Sequence, residues 1–269
     1  MASSPHDLVM TLPEYQRIQA FLSREAGISL GPAKQTLVMG RLGKRLRATN
    51  CPSYDAYLRL LNQDAEERQR AIDLLTTNET YFFREPKHFA FLAEQAIPAW
   101  NNQENVRIWS AASSSGEEAY SSAMVLTERR TKSWEIFGSD LSTKVLSIAE
   151  KAIYPMLRAE KIPKPYLKRY CLRGMGKQEG FFSIAPEIRR FVKFSQINLN
   201  STLPKVGDFD MIFLRNVLIY FEVSEKKAIC QRLLQQLRPG GFFLVGHSES
   251  LNGIVEGLQL IQPAIYRKE

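Results

Sequence analysis

The sequence predicts an α/β protein in two parts: a small all-helical domain, then a doubly wound, mostly parallel sheet carrying a small antiparallel β insertion. Three observations lead there. Up to Leu75, apolar residues recur at helical spacing. From Val106 the pattern changes to short apolar runs alternating with helical segments, as expected of parallel strands joined by crossover helices. Between Ile162 and Phe182 the chain becomes rich in Pro, Gly, Lys and Arg, which marks an insertion rather than a crossover.

The first helix carries Tyr15, Ile18, Phe21 and Leu22 on one stripe, with Pro13 well placed as an early helical residue. Leu37, Val38, Leu42 and Leu46 make the second stripe; Pro52 and Ser53 break the pattern before a helix over 54–61, and another spans Ala65 to Leu75. Residues 1–75 are therefore expected as the helical domain and 76–100 as a linking loop and helix with Phe89, Leu92 and Ile97. Residues 101–269 are expected as the sheet domain, with its insertion at about 160–190. Strands are predicted over 106–110, 134–138, 191–194, 209–214 and 242–245, the last following an Arg238-Pro239-Gly240-Gly241 turn, with helices opening near Glu117 and Thr143.

A length of 269 residues accommodates these parts, and 44% hydrophobic with 24% charged residues is ordinary globular composition. No apolar run approaches the roughly 18 residues of a membrane span, so the chain is not expected to be membrane-embedded. The start, MASSPHDLVM, lacks the form of a secretory signal, and Cys51, Cys171 and Cys230 are isolated and odd in number. Together these predict a reducing cytoplasm. His6, His88 and His247 are scattered without zinc-like spacing, so no metal is expected. The +8 charge favours an anionic partner without saying which.

The densest local signal is TTNETYFFRE, Thr76 to Glu85. Tyr81, Phe82 and Phe83 can wall an apolar slot into which Asn78, Thr80 and Arg84 direct donors; the alternative is an aromatic junction between domains. After the first strand, Ser110 to Gly116 is a run of seven small residues that lets backbone approach a ligand closely. It is not GxGxxG and has no Lys or Arg for a phosphate. Glu117 and Glu118 open the next helix, either as dipole complements or as an acid that holds an ammonium. Asp140 ends the second strand, where an acid takes a ribose diol; Ser142 can do the helix capping. Asn198 and Leu199 follow the third strand, and Arg215 and Asn216 the fourth, with Tyr220 shortly after. These positions share the carboxyl edge of the sheet, where open α/β sheets bind ligands. They point to a ligand joining a ribose to an amino acid head, S-adenosylmethionine.

TTNETYFFRE, WSAASSSGEEAYS, GSDLSTKVLSIAEKAIY, FLRNVLIYF and PGGFFLVGHSESL, in this order, resemble the CheR-type chemotaxis receptor glutamate O-methyltransferases over nearly the whole chain. The resemblance implies a Rossmann-like class I methyltransferase domain that forms glutamate methyl esters on chemoreceptor cytoplasmic helices and releases S-adenosylhomocysteine. It carries Asn78, Thr80, Arg84, Glu117, Asp140, Asn198, Leu199, Arg215 and Asn216 over as the cofactor site, with Arg84 and Tyr220 beside the reacting methyl; Glu117 and Glu118 remain alternatives for one contact. Ala119 departs from the usual proline. A basic cluster of Lys34, Arg41, Lys44, Arg45, Arg47 and Arg59 is either a solvated surface face or, as the resemblance implies, the face that meets the acidic methylation helices of a receptor. Nucleic acid is not expected, because no aromatics interleave the charges. Gly174, Gly176 and Gly180 suggest a hairpin. They are a plain connection or, by resemblance, part of a subdomain that docks a receptor's C-terminal peptide. A class I methyltransferase acting on RNA or a small molecule, and a non-catalytic receptor-binding adaptor, are the rival readings.

Overall fold

The computed structural model describes residues 9–130 and 132–269, so His6 lies outside the described residues. The chain separates into two compact units. One comprises the chain up to Thr77 with Tyr220–Glu222, the other Asn78–Ile219 with Val223–Glu269.

The helical unit contains α1 (Leu12–Ala26), α2 (Gln35–Ala48), α3 (Tyr54–Gln63) and α4 (Ala65–Leu75). Local chemistry sets their ends. Thr11 Oγ1 accepts from the Glu14 amide at 3.3 Å while the Glu14 carboxylate accepts from the Thr11 amide at 2.9 Å, a reciprocal capping box. Ser53 and Asp64 cap α3 and α4. The core holds Tyr15, Ile18, Leu22, Val38, Leu42, Leu46, Tyr57, Leu61 and Ile72. Leu37 departs from its expected place in the apolar stripe. It is 40% exposed, because Val38, Leu42 and Leu46 recur every four residues and already form the inward ridge of α2.

Two cations of α2 belong to this packing. Arg41 Nη1 donates to the carbonyls of Leu75 and Thr76 at 3.0 and 3.1 Å, capping the end of α4. Arg45 forks onto Glu67 at 2.8 and 2.5 Å, and the Tyr57 hydroxyl donates to the same carboxylate at 2.6 Å. Burial raises the Glu67 carboxyl, but Arg45 and Tyr57 outweigh it and hold it below the usual range.

In the second unit, α5 (Pro86–Phe91) runs through a π-turn (Leu92–Ala96) into α6 (Ile97–Ala99). There follow β1 (Asn105–Ser110), α7 (Glu117–Arg129), β2 (Ser133–Asp140), α8 (Thr143–Lys151), β3 (Ile153–Pro155), α9 (Lys164–Tyr170), β4 (Cys171–Arg173), β5 (Phe181–Ile184) and α10 (Pro186–Arg189). The unit ends with β6 (Val192–Gln196), β7 (Phe209–Leu214), α11 (Val223–Leu234), β8 (Leu237–Val245), β9 (Leu258–Gln262) and β10 (Ile265–Lys268).

The described strands form a seven-stranded sheet, β6-β2-β1-β7-β8-β10-β9, and a three-stranded sheet, β3-β5-β4. Strands β6, β2, β1, β7 and β8 are mutually parallel; β10 is antiparallel to both β8 and β9. The order reverses between β1 and β7, so their carboxyl ends flank the crevice in which such sheets take ligands. One buried cluster joins Phe89, Leu92 and Trp100 to Ile108, Met124 and Phe213, and on to Tyr154 and Phe182 of the small sheet.

Three details differ from expectation. The Arg238-Pro239-Gly240-Gly241 segment lies inside β8 rather than before it, as an irregularity opposite Phe209 and Met211 with Gly240 at φ 73°. Strands β9 and β10 had no sequence forecast. Lys268 at the end of β10 donates to the carbonyls of Leu234 and Leu237, each at 2.7 Å. The small sheet starts at Ile153, earlier than expected, and the helix α9 lies in the connection between its strands β3 and β4.

Candidate active site

The small-residue run leaves β1 and turns into α7 through Gly116, whose φ of 93° is a conformation that side chains avoid. The Ser113 amide donates to Ser139 O at 2.8 Å, and the Ser114 amide to Asp140 Oδ2 at 2.8 Å. Asp140 Oδ1 accepts from the Ser142 amide at 3.0 Å, while the Ser142 side chain caps α8 as expected. The Asp140 carboxylate thus organises two loops at the end of β2. The Ser113 hydroxyl is buried beside it without a protein partner.

The acid pair divides. Glu118 reaches Arg215 at 2.8 Å and accepts from Ser110 Oγ at 2.6 Å. Burial raises its carboxyl against the pull of Arg215 and Ser110. Glu117 is fully buried, accepts from Ser115 Oγ at 2.7 Å, and pairs with Arg158. Arg158 had no sequence forecast; it follows β3 directly, and nothing local links it to α7.

TTNETYFFRE differs from the expected slot. Phe82 is fully buried, edge-on to Tyr154 at 5.0 Å, and Phe83 stacks on Tyr166 at 5.3 Å. These two rings anchor the segment in the core, and only Tyr81, 39% exposed, remains at the surface. Arg84 lies over the Tyr81 ring at 5.7 Å and donates to Glu79 O at 2.8 Å. Phe83 and Glu85 on either side of it are left-handed, with φ of 54° and 57°. Two such residues cost about 1–3 kcal/mol each and persist only where the surroundings hold them. Phe83 N–H donates to Ser121 Oγ at 3.0 Å, and Asn78 O accepts from Ser114 Oγ at 3.0 Å, which ties the segment to the small-residue loop. Thr80 is half-buried in the same stretch.

Glu85 is the hub that sequence reasoning missed. Its carboxylate meets Arg215 Nη2 at 3.0 Å, Asn216 Nδ2 at 3.1 Å and the His247 amide at 3.2 Å. Burial raises its carboxyl, but Arg215 and Asn216 outweigh this and hold it at about 2. Glu249 is a second missed acid: it accepts from the amides of Asn216, Ile219 and Gly246, and so shapes the loop after β7.

His88 and His247, apart in sequence, sit edge-on at 4.9 Å. With Glu85 they bring three ligand-capable atoms within 4.8 Å of one another. Arg215 already supplies the cation for Glu85, and a metal ion beside a guanidinium is electrostatically opposed. Burial, then Arg215, push the His88 imidazole down to about 3. An unfolded chain takes up that proton near pH 6.5 and the folded one only near 3, so the His88 contribution is full above pH 6.5 and drains as pH falls. We expect stability to drop by about 2 kcal/mol between pH 6.5 and 5 on this account, with His88→Phe flattening that slope whatever its own stability. Urea midpoints measured across the interval check this, and an unchanged slope in the variant refutes it.

The remaining nominated residues are dispersed. Asn198 Oδ1 accepts from the Asn200 amide at 2.9 Å, and the buried Leu199 passes its carbonyl to Arg232 at 2.6 Å. Tyr220 ends a short turn, Leu218–Tyr220, and groups with the helical unit, where its carbonyl accepts from the Ser29 amide at 2.9 Å. A cavity of about 370 Å³ is lined by Tyr120, Glu150, Pro186, Arg189, Arg190, Val192 and Phe194, and none of the nominated residues borders it. Of the basic cluster, Lys34, Lys44, Arg47 and Arg59 are exposed, whereas Arg41 and Arg45 are spent on α4. In the β4–β5 hairpin, a Cβ on Gly174 would fall 2.1 Å from Gln178 O, while Gly176 and Gly180 have open space but positive φ.

Residues 78–266 match the family model described as the CheR methyltransferase SAM binding domain, and residues 13–76 match the CheR methyltransferase all-alpha domain. A chemotaxis protein methyltransferase 2 of Pseudomonas aeruginosa is 40% identical over 244 residues, covering 89% of this chain and 87% of the relative. The chemotaxis protein methyltransferase of Salmonella typhimurium is 37% identical, covering 96% and 91%, and that of Escherichia coli 37% identical, covering 96% and 92%. Matched in both its parts, the chain belongs to the CheR methyltransferase family and is an S-adenosylmethionine-dependent enzyme.

Proposed function

We propose that this protein transfers a methyl group from S-adenosylmethionine to the side-chain carboxylates of specific glutamates on a chemoreceptor's cytoplasmic helices, and that it works in the cytoplasm. The observation that carries this is the match of both domains to one family, the all-alpha part included. An enzyme acting on RNA or a small molecule would leave the helical match unexplained.

The residues at the crevice fit the cofactor chemically. Asp140 offers a carboxylate at the end of β2, Ser113 an unsatisfied buried hydroxyl, and the small-residue run a close backbone approach. Asn78, Thr80, Arg84, Asn198, Leu199, Arg215 and Asn216 are proposed to complete the site. For the amino acid head Glu117 and Glu118 stay alternatives, because both are engaged here, Glu117 by Arg158 and Ser115 and Glu118 by Arg215 and Ser110. The bound cofactor supplies an electrophilic methyl on a sulfonium. The glutamate substrate is already ionised at neutral pH, so no general base is required. What remains for the chain is to strip water from that carboxylate and hold it in line for attack, the role proposed for Arg84 and Tyr220. Arg84 must grip weakly, since over-stabilising the bound carboxylate slows transfer.

For the partner, Lys34, Lys44, Arg47 and Arg59 are proposed as the charges that steer acidic receptor helices. Strand β4, at one edge of its sheet with Leu172 52% exposed and Met175, two residues past its end, 85% exposed, is proposed to add a receptor's C-terminal peptide as a further strand. Incubation with labelled S-adenosylmethionine and receptor-bearing membranes should yield base-labile methyl esters; a folded, cofactor-binding protein that yields none overturns the proposal. In the same protein Asp140→Ala is expected to weaken cofactor binding by about 1.5–3 kcal/mol. Calorimetry giving wild-type affinity for the folded variant removes Asp140 from the site.

A further inference from the structure

Arg84 is held in place by its backbone more than by its side chain, whose contacts are one carbonyl at 2.8 Å and one ring face at 5.7 Å. Its neighbour Glu85 makes the stronger connections. Only 14% of the Glu85 side chain is exposed, and it joins the segment before α5 to Arg215 and Asn216 after β7 and to the His247 amide after β8. Arg215 closes the loop by donating to the Arg84 carbonyl itself. The same guanidinium holds Glu118 of α7 at 2.8 Å, so one cation ties the Arg84 peptide to two acids. His88 lies behind the carboxylate, its Nδ1 3.5 Å from Glu85 Oε2.

We propose that Glu85 is a positioning residue for methyl transfer: by clasping Arg215, Asn216 and the His247 amide, it holds the left-handed turn that presents Arg84. This rests on the function proposed above. The physical requirement is geometric. A left-handed, non-glycine residue relaxes when its restraints go, and a guanidinium on a relaxed backbone spends little time where transfer needs it. Glutamine at 85 would keep the shape and one acceptor, but would lose the charge that Arg215 grips.

The test uses the full chain with Glu85→Gln and Arg84→Ala, singly and combined, assayed for receptor methylation and for cofactor affinity. Glu85→Gln is expected to lower kcat by about 10- to 100-fold, a larger change than in cofactor Kd, which moves as well because Arg84, Arg215 and Asn216 are proposed cofactor contacts. Because Glu85 acts through Arg84, the double variant should be no slower than Arg84→Ala alone. Losses that multiply, or a Glu85→Gln kcat within about twofold of wild type, overturn the proposal. Should Glu85→Gln fail to fold, Glu85→Asp keeps the charge but shortens the reach, and the same non-additivity is expected of it. Amide exchange over residues 79–84 separates the two ideas. If the wild type binds cofactor but methylates no receptor, the functional reading fails. Faster exchange in the variant would then still support the anchor, and unchanged exchange would refute it.

Discussion

Arg215→Ala is expected to destabilise the α/β unit by about 3–5 kcal/mol. The Arg215 side chain is 2% exposed and serves two carboxylates, Glu85 at 3.0 Å and Glu118 at 2.8 Å. Removing it strands both in a buried setting and also leaves the Arg84 carbonyl short of a donor. Lysine should recover little, since one ammonium cannot span two acids as a planar fork does. Glu118→Gln added to Arg215→Ala should restore part of the loss by removing one stranded charge. Urea unfolding at neutral pH measures all three, and a loss below about 1 kcal/mol for Arg215→Ala would show that water enters and solvates the acids.

The second large effect is in the helical unit. Arg45→Glu is expected to cost about 3–5 kcal/mol, because it places a carboxylate against Glu67, whose side chain is 2% exposed and would keep only the more distant Arg70, at 3.4 Å, as a charge partner. Reversing Lys44 and Arg47, both exposed, should change stability by no more than about 0.5 kcal/mol each. The exposed pair should instead slow receptor methylation, with an effect that fades as salt rises, since such charges are screened within about 10 Å at 0.1 M. Unfolding midpoints paired with initial rates across ionic strength distinguish the roles. A stable Arg45→Glu protein with salt-sensitive rates would return Arg45 to the steering group.

Much of the fold was legible because it follows from periodicity. The change of pattern at Val106, the buried run of β7 and the Pro52-Ser53 break each encode their element locally. Strands β9 and β10 escaped because LQLIQ and IYRK are short and mixed, and become strands only by pairing. In the site, the loops at the carboxyl ends of β1, β2 and β7 could be found from residue type and topology. The network that holds them could not: Arg215 lies 130 residues from Glu85, and the His247 amide 162. The aromatic rings misled for a related reason. Composition says that Phe82 and Phe83 seek burial, but not that they would be buried under Tyr154 and Tyr166 rather than around a ligand.

The place of β10 has a consequence for how the molecule is made. Synthesis delivers Ile265–Lys268 after every other described strand, yet β10 lies between β8 and β9 and supplies the hydrogen bonds of both. Until it emerges, β8 is an open edge of apolar residues and β9 has nothing to join. A released chain that lacks Ile265–Lys268 would therefore present Phe242 to Val245 as a template for foreign strands. The segments of α1 to α4 are made early, whereas the described sheet closes only when β10 joins it, so β8 is the strand left longest without its partner.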